Sequence, residues 1–421
     1  MPSWSSILSN HFHVNLPPDV VAWFDDELWK ECSETHFSVP LSPEMLLDSG
    51  SSTIWGGLML PDTLPILHNG GGDTLSLRFN SNGSVSEVIR WEHEGGNWTP
   101  FGATLSEAIL LDIALSLEEE PLVYRGIQLQ DVGRVDWVLD QLEREKYSSR
   151  LRNILEQQHA LSIGELLEAD VAVTAVRRML SRNCCASDLQ RYCWKKGCHG
   201  LAENLGVHWF EFSQWVFDSK FIPDNMREKL AKAVGIPFAD LSRHDWSGAV
   251  DHAERVVATR TDLGWPFAVL GWAAERQGDL ATAVKHYAAG LTALGTSSDF
   301  TEYWEKIGPG QKRKFVVDRL MDLSDSLPED VLENDYFRAV AGSKHSKGFF
   351  DCVRRYWSER GESAEREGRY SDAYQSYYVA GWDMLVLDDI EEILDALARN
   401  AQAAGFQALA SIAIQHRKSM I

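Results

Sequence analysis

The sequence predicts a multidomain protein in which an N-terminal α+β domain with an antiparallel sheet precedes an all-α C-terminal region. Three observations predict this class. The chain has 421 residues, more than one hydrophobic core usually serves. Apolar residues alternate with polar ones within the first 120 residues, which is strand spacing. From about residue 135 onward they recur at helical spacing, so the remainder should be helical.

The N-terminal elements follow in chain order. The predicted elements are a helix over 16–29, strands over 53–61 and 64–67, a hairpin over 74–91 and a helix over 104–120. Asp19 follows two prolines and is the predicted cap of the first helix. Thr104 or Ser106 is the predicted cap of the second. Together these elements form a small sheet flanked by helices.

A glycine cluster at 69–73, NGGGD, has the composition of a phosphate-binding loop. Such a loop needs its glycines to lead into a helix N-terminus, where unpaired amides and the helix dipole hold the anion. Here Leu75, Leu77 and Phe79 follow at every second position, which is strand spacing. Gly83 then completes an Asn-Gly turn before a second strand. The stretch therefore predicts a β-hairpin.

The order of these motifs resembles the SUKH superfamily, which includes a yeast cell-wall-synthesis regulator and many bacterial immunity proteins of polymorphic toxin systems. The resemblance covers residues 16–115 and depends most on NGGGDTLSLRF from residue 69 and on WEH at 91–93. KECSETHF replaces the Asn-Gly that usually closes the first helix, and the middle is short. The resemblance implies a non-enzymatic α+β domain that binds another protein.

The stretch WEHEGGNW at 91–98 contains the candidate partner-binding residues. Strand alternation is expected to place His93 beside Trp91 and the two glutamates opposite, which disfavours an acid-base site. Exposed tryptophan and histidine near glycine turns are common in protein interfaces, although ordinary packing and solvated charge would also explain them. The candidate residues of this surface are Gly72, Asp73, Trp91, His93 and Trp98.

Residues 201–241 show a helix-turn-helix pattern, with Gly206 at the tight turn and Gly235 after a later amphipathic helix. The pattern resembles the Xre-type repressor fold over about 187–242. Residues 177–243 hold eleven Lys/Arg and seven Asp/Glu, a local excess of positive charge that favours DNA. The second helix lacks arginine and has Glu211 and Asp218 where bases and phosphates would lie, so a structural module is the competing interpretation. The possible DNA-binding residues are His208, Gln214 and Lys220.

Two later stretches repeat each other at an offset of 90 residues, as Gly271 and Gly361 illustrate. Small residues at fixed points let paired helices approach closely while an aromatic residue fills the groove. The pattern resembles tetratricopeptide repeats over about 254–390, with Trp357 at the aromatic position of the first helix and Phe267 as its counterpart. The residues predicted to pack the repeats are Gly271, Gly278, Ala283, Tyr287, Trp357, Gly361, Gly368, Ala373 and Tyr377.

These patterns divide the chain into a SUKH-like domain (1–120), a helical connector (121–180), an Xre-like helix-turn-helix bundle (181–245) and a TPR-like repeat array (246–421).

The cysteines do not indicate a metal site. The side chains of Cys184, Cys193, Cys198 and His199 could supply zinc ligands, but no Cys-x-x-Cys knuckle is present and buried thiols are the preferred interpretation. Because no catalytic motif occurs either, the sequence predicts no enzyme, no cofactor and no metal.

The net charge of −22 disfavours a general nucleic-acid or anionic-membrane binder. The N-terminus lacks a signal pattern and six cysteines form no secreted framework, so a cytoplasmic location is expected. The expected function is a protein-binding adaptor or toxin-immunity-type protein, with a basic toxin domain as a candidate partner. The alternative is a helix-turn-helix transcription regulator with a TPR-like sensor. The sequence does not fix the partner or the oligomeric state.

Overall fold

The structure is a computed structural model that describes residues 2–31, 33, 35–48, 54–56, 59–93, 96, 98–119, 134, 137–138, 140–141, 199–241, 246–294, 314–342, 346–383 and 389–420. The chain forms two compact units. Unit 1 contains Met1–Arg177 together with Trp357–Ile421, and unit 2 contains Arg178–Tyr356. Both ends of the chain therefore belong to unit 1.

Unit 1 contains a five-stranded antiparallel sheet with strands in chain order. The strands are β1 (Val39–Pro40), β2 (Thr63–His68), β3 (Thr74–Phe79), β4 (Val85–Trp91) and β5 (Trp98–Gly102). Leu77 pairs with Val88 across the hairpin, and Gly83 adopts a left-handed φ of 80° in its turn. The predicted hairpin is confirmed, as is the strand over 64–67, which lies within β2.

Among the described residues of the N-terminal part of unit 1, four α-helices accompany the sheet. They are α1 (Trp4–Phe12), α2 (Pro18–Asp25), α3 (Pro43–Leu47) and α4 (Leu105–Glu119). The predictions of α2 and α4 are confirmed, and the Thr104 hydroxyl caps α4 by accepting from the Glu107 amide at 3.2 Å. The strand predicted over 53–61 is wrong for its described residues, because 54–56 and 59–61 form turns and irregular backbone.

Asp19 does not cap α2 as predicted. Pro17 occupies the position before the helix, which leaves Asp19 inside the first turn. The buried Asp19 carboxylate accepts hydrogen bonds from the Val20 amide at 2.9 Å and from the Ser106 amide at 3.2 Å. One carboxylate therefore satisfies amides in the first turns of both α2 and α4, and it fastens the two helices together.

The regular elements among the described residues of unit 2 are helices, apart from one isolated β-bridge between Leu263 and Leu294. Its helices are α5 (His199–Leu205), α6 (Trp209–Phe217), α7 (Asp224–Val234), α8 (Phe238–Leu241), α9 (Ser247–Val257), α10 (Gly264–Arg276), α11 (Leu280–Ala289), α12 (Phe315–Asp322), α13 (Glu329–Leu332) and α14 (Asp335–Ala341). The turn between α5 and α6 uses Gly206 at φ 66°, and Gly235 ends α7 at φ 69°. The core of α5–α8 is built around Phe212, Trp215 and Leu230. Two short helices joined by a tight glycine turn are therefore present, as the pattern requires.

The remaining helices lead back into unit 1. Helix α15 (Ser346–Arg366) begins in unit 2 and ends in unit 1, followed by α16 (Tyr370–Trp382), α17 (Ile390–Ala403) and α18 (Gln407–Ser419). The predicted range 246–421 is thus divided between the two units. Most of the predicted connector at 121–180 lies outside the described residues. The four predicted domain identities stay predictions.

The two repeated stretches form helical hairpins with the same inner contact. A Cβ added to Gly271 would lie 2.2 Å from the Tyr287 ring, and one added to Gly361 would lie 2.9 Å from the Tyr377 ring. The α10–α11 and α15–α16 hairpins thus bring a tyrosine against bare backbone. Gly278 and Gly368 make the intervening turns at φ 81° and 74°. Ala283 and Ala373 are fully buried, as the pattern requires.

Candidate partner-binding surface

The glycine loop, residues 69–73, connects β2 to β3 at one end of the sheet. Its conformation is set by Asn69, whose Oδ1 accepts from the amides of Gly71 at 2.8 Å and Asp73 at 3.0 Å. Asn69 Nδ2 also donates to Asp73 Oδ2 at 3.0 Å. The amide of Gly70 donates to His68 Nδ1 at 3.1 Å. Three loop amides that could face a phosphate already have acceptors, which agrees with the hairpin interpretation.

Asp73 and His93 meet at this loop. Asp73 Oδ1 lies 3.1 Å from the His93 amide nitrogen and 3.0 Å from His93 Nδ1. Gly72 lies against the same ring: its φ is 108°, and an added Cβ would lie 2.8 Å from His93 Cγ. The position therefore requires glycine both for its backbone angle and for space. The His93 side chain remains 44% exposed, so it belongs to the surface.

The prediction that Trp91 and Trp98 are exposed is wrong. The two residues pair across β4 and β5 and are 4% and 0% exposed. An added Cβ at Gly56 would lie 2.5 Å from the Trp91 ring, and the Arg78 guanidinium lies 4.8 Å from the Trp98 ring. The rings therefore pack the core. The structure brings Gly72, Asp73 and His93 together on the surface and leaves both tryptophans below it.

The expected alternation of His93 with Trp91 is also wrong, because β4 ends at Trp91 and His93 lies in the following turn. Sequence reasoning missed Arg90 at this site. Arg90 Nη2 lies 3.2 Å from Glu92 Oε1 and 3.9 Å from Asp73 Oδ2. Residues two positions apart on a strand lie on the same face, so the spacing of Arg90 and Glu92 could have indicated an ion pair. The exposed surface therefore combines paired charges with an imidazole.

A buried carboxylate supports this end of the sheet. Asp112 of α4 accepts from the Phe37 amide at 3.1 Å. Burial raises the pKa of Asp112 to about 6, while hydrogen bonds to Thr35 and Phe37 oppose that rise. The neighbouring His36 Nε2 lies 3.5 Å from Asn69 Nδ2. Asp112 thereby holds the chain segment that flanks the glycine loop.

Arg134 braces the same segment from a distant part of the sequence. Its buried guanidinium donates to the main-chain oxygens of Glu31, Phe37 and Ser38, at 2.6, 3.3 and 3.3 Å. It also lies 5.1 Å from the Trp23 ring. Nothing in the local pattern around Arg134, within the predicted helical connector, signals this role, because all its acceptors are about 100 residues earlier.

The possible DNA-binding residues lie apart along the helix-turn-helix bundle. His208 is an exposed residue just before α6, Gln214 is half-buried on α6, and Lys220 lies in a short 3-10 turn. Lys220 Nζ lies 5.1 Å from the Trp272 ring, so its charge makes a cation–π contact with α10. Residues 199–241 contain four Lys/Arg and six Asp/Glu, so the local positive excess comes from residues outside the described part of the chain.

The sequence suggested that Asp218 faces the surface that would meet DNA, but the structure places it elsewhere. It is fully buried, where Arg276 Nε lies 2.7 Å from Asp218 Oδ2 and the Trp272 indole donates to the same oxygen at 3.1 Å. Its other oxygen accepts from the Lys220 amide at 2.9 Å. Asp218 therefore joins the α5–α8 bundle to α10.

The repeats contain a polar triad that sequence reasoning missed. Tyr287 Oη donates to Glu275 Oε2 at 2.9 Å, and Arg319 binds both oxygens of Glu275. The second hairpin has the corresponding set in Tyr377, Glu365 and Arg399. Burial and the nearby Glu275 raise the pKa of Tyr287, so its phenol stays a neutral donor. The two glutamates obey the 90-residue offset and could have been found from it.

Trp357, the predicted aromatic residue of the second repeat, is half-buried with the Arg360 guanidinium 6.0 Å from its ring. Its counterpart Phe267 is buried. The cysteine cluster Cys184, Cys193 and Cys198 lies outside the described residues, as does the side chain of His199. In the part of the chain that the structure describes, no group of three or more His, Cys, Asp or Glu side chains is placed to hold a metal ion.

None of the helices among the described residues combines the length and apolar character that a membrane crossing needs. No protein-family model, curated protein or solved structure matches the chain.

Proposed function

We propose that the protein works as a non-enzymatic adaptor or immunity-type protein and that unit 1 binds a protein partner through the glycine-loop surface. This surface is formed by Asn69, Gly72, Asp73 and His93. The observation that carries the proposal is the locked geometry of the loop, in which the Asn69 side chain accepts from two loop amides and the Asp73 carboxylate accepts from the His93 amide. A loop that is already ordered loses little conformational entropy when it binds.

The charge of the chain favours a basic partner. A net charge of −22 repels nucleic acid and attracts cationic protein surfaces, which raises the rate of encounter. A basic toxin domain of the nucleic-acid-cleaving class would suit this charge, in keeping with the SUKH resemblance. Within the surface itself the charges are largely paired, so His93 and the glycine backbone would supply the short-range contacts.

The test uses the full chain in an affinity capture from native lysate, followed by titration of the identified partner. His93→Ala removes the exposed ring at the centre of the surface. We expect its dissociation constant for the partner to rise about tenfold or more, as for other central interface side chains. Asp73→Asn should have a similar effect, because it weakens the bonds that position His93.

The matched control is His11→Ala, which removes an exposed histidine from α1. It should leave partner affinity unchanged. If His93→Ala binds as tightly as the wild-type chain, or if His11→Ala weakens binding equally, the glycine-loop surface is not the binding site. Capture of only nucleic acid would overturn the protein-binding assignment itself.

The helix-turn-helix geometry of α5 and α6 supports a second candidate function, a transcription regulator that binds DNA through His208, Gln214 and Lys220. Its test is a mobility-shift assay with genomic DNA fragments at low salt, where phosphate contacts are strongest. A shift that Gln214→Ala weakens would favour this candidate. The absence of any shift at low salt would remove it.

A further inference from the structure

The C-terminal helices of unit 1 supply hydrogen-bond donors to described residues that precede and begin β2. Four main-chain oxygens, at Asp48, Trp55, Met59 and Thr63, accept side-chain hydrogen bonds from α16 and α18. The pairs are Gln415 Nε2 to Asp48 O at 3.1 Å, Ser419 Oγ to Trp55 O at 3.3 Å, Trp382 Nε1 to Met59 O at 3.0 Å and His416 Nε2 to Thr63 O at 3.1 Å. Buried carbonyls need such partners. All four donors lie in the C-terminal helices α16 and α18 and not in the N-terminal part of unit 1.

One face of α16 packs against the same region. Tyr374, Tyr378 and Trp382 follow at intervals of four residues and are all buried. Tyr378 Oη donates to Asp62 Oδ1 at 3.2 Å, and Arg78 Nη2 lies 3.3 Å from Tyr378 Oη. Arg78 also binds Asp62 from the sheet side, with Nε at 2.9 Å from Asp62 Oδ2. A buried charge pair from the N-terminal part is therefore completed by a C-terminal tyrosine.

The outer edge of β2 is covered from both sequence ends. Strand β1 pairs with Leu67 and His68 at the end of β2, and the Leu41 amide donates to the Ile66 carbonyl at 2.9 Å. At the start of β2 the Thr63 carbonyl is bound by His416, whose ring packs against Trp55 at 4.9 Å. An uncovered strand edge invites pairing with another chain. Helix α18 therefore protects an edge that the N-terminal sequence leaves incomplete.

We infer that α16–α18 act as a clasp: the sheet and the C-terminal helices of unit 1 open and close as one cooperative body, whose sequence is interrupted by unit 2. Displacing or cleaving the clasp would expose the start of β2 at Thr63, and because the sheet opens as one body, the glycine loop at the other end of β2 would lose its order with it. The clasp would thus control the glycine-loop surface without contributing a residue to it. The inference does not depend on which partner that surface binds.

Native-state hydrogen exchange of the wild-type full chain tests the clasp without any substitution. At low urea concentrations, amides of β2–β4 and of α16–α18 should exchange through one opening, with the same free energy and the same urea dependence. Amides of α10 and α11 in unit 2 should follow a separate opening. The clasp is excluded if amides of β2–β4 stay protected where those of α16–α18 have already exchanged.

A variant gives an independent measurement. Gln415→Ala, His416→Ala and Ser419→Ala together remove three donors in the full chain, and exchange in β2 should become roughly 100-fold faster. The matched control replaces two exposed residues of the same helix, Gln407→Ala with Lys418→Ala, and should leave β2 exchange unchanged. Equal β2 exchange in the triple variant and the control would overturn the inference. If the triple variant does not fold, the wild-type measurement still decides.

Discussion

The two helical hairpins, α10–α11 in unit 2 and α15–α16, which ends in unit 1, share their inner face and differ on their outer face. Inside, each packs a tyrosine against a glycine, and that tyrosine reaches a glutamate in the first helix. Outside, Tyr374, Tyr378 and Trp382 of α16 correspond to Val284, Ala288 and Thr292, each 90 residues earlier. The inner residues thus define the hairpin, while the outer residues decide what it packs against.

The largest expected effect comes from removing the outer face of α16. Trp382 is 1% exposed and donates to the Met59 carbonyl, whereas its counterpart Thr292 is exposed. Trp382→Ala should lower the stability of unit 1 by about 3–5 kcal/mol, because it leaves a cavity and an unpaired carbonyl. Thr292→Ala should change the stability of unit 2 by less than about 0.5 kcal/mol. Hydrogen exchange resolved by peptide measures both, and similar losses in the two variants would contradict the comparison.

The second expected effect concerns pH and the helices that follow α16. Burial lowers the pKa of His416 from 6.5 to about 4, so the unfolded chain binds its proton more readily between these values. The His416 contribution to stability is complete above pH 6.5 and decreases as pH falls towards 4, by up to about 3 kcal/mol. Urea denaturation of the wild-type chain and His416→Gln across this range checks it.

The His416→Gln variant is necessary because Asp112 also changes the stability of the wild-type chain with pH. Because burial raises its pKa to about 6, the folded state binds that proton more readily, and the Asp112 contribution favours folding as pH falls. The two effects oppose each other in the wild-type chain. The difference in stability between wild type and His416→Gln isolates the histidine, and a difference that does not change with pH would show that His416 is not held neutral.

Local patterns predicted the inner face of each hairpin and the β-hairpin, because their contacts join residues within one short stretch of sequence, such as Gly271 and Tyr287. The outer face of α16 could not be predicted in this way, since Tyr378 meets Asp62 more than 300 residues earlier. The surface was predicted in part. Gly72, Asp73 and His93 meet as expected, but tryptophans near glycine turns have no local signal that separates burial from exposure. Helix α1 was missed because three serines and an asparagine among its nine residues have low helix propensity.

The third expected effect concerns the glycine on the inner face of each hairpin, Gly271 in α10 and Gly361 in α15. A Cβ at Gly271 would lie 2.2 Å from the Tyr287 ring, whereas one at Gly361 would lie 2.9 Å from the Tyr377 ring. Gly271→Ala should destabilise α10–α11 by about 2 kcal/mol through overpacking. Gly361→Ala should cost less than about 1 kcal/mol, because alanine's helix propensity offsets a smaller clash. Adding Tyr287→Leu should remove most of the Gly271→Ala penalty, and a penalty that persists would show that the tyrosine is not its cause.

The smallest expected effect concerns the arginines that complete the two triads. Arg319 is 21% exposed and binds a Glu275 that is 12% exposed, whereas Arg399 is 57% exposed. Arg319→Ala should destabilise its hairpin by about 1–2 kcal/mol, because it leaves a largely buried carboxylate and its tyrosine without a cation. Arg399→Ala should cost less than about 1 kcal/mol, since water can replace an exposed partner. Hydrogen exchange of α11 and α16 peptides, repeated at high salt, separates the two: only the Arg399 effect should fade with ionic strength, and a strong salt dependence at Arg319 would show that its pair is open to solvent.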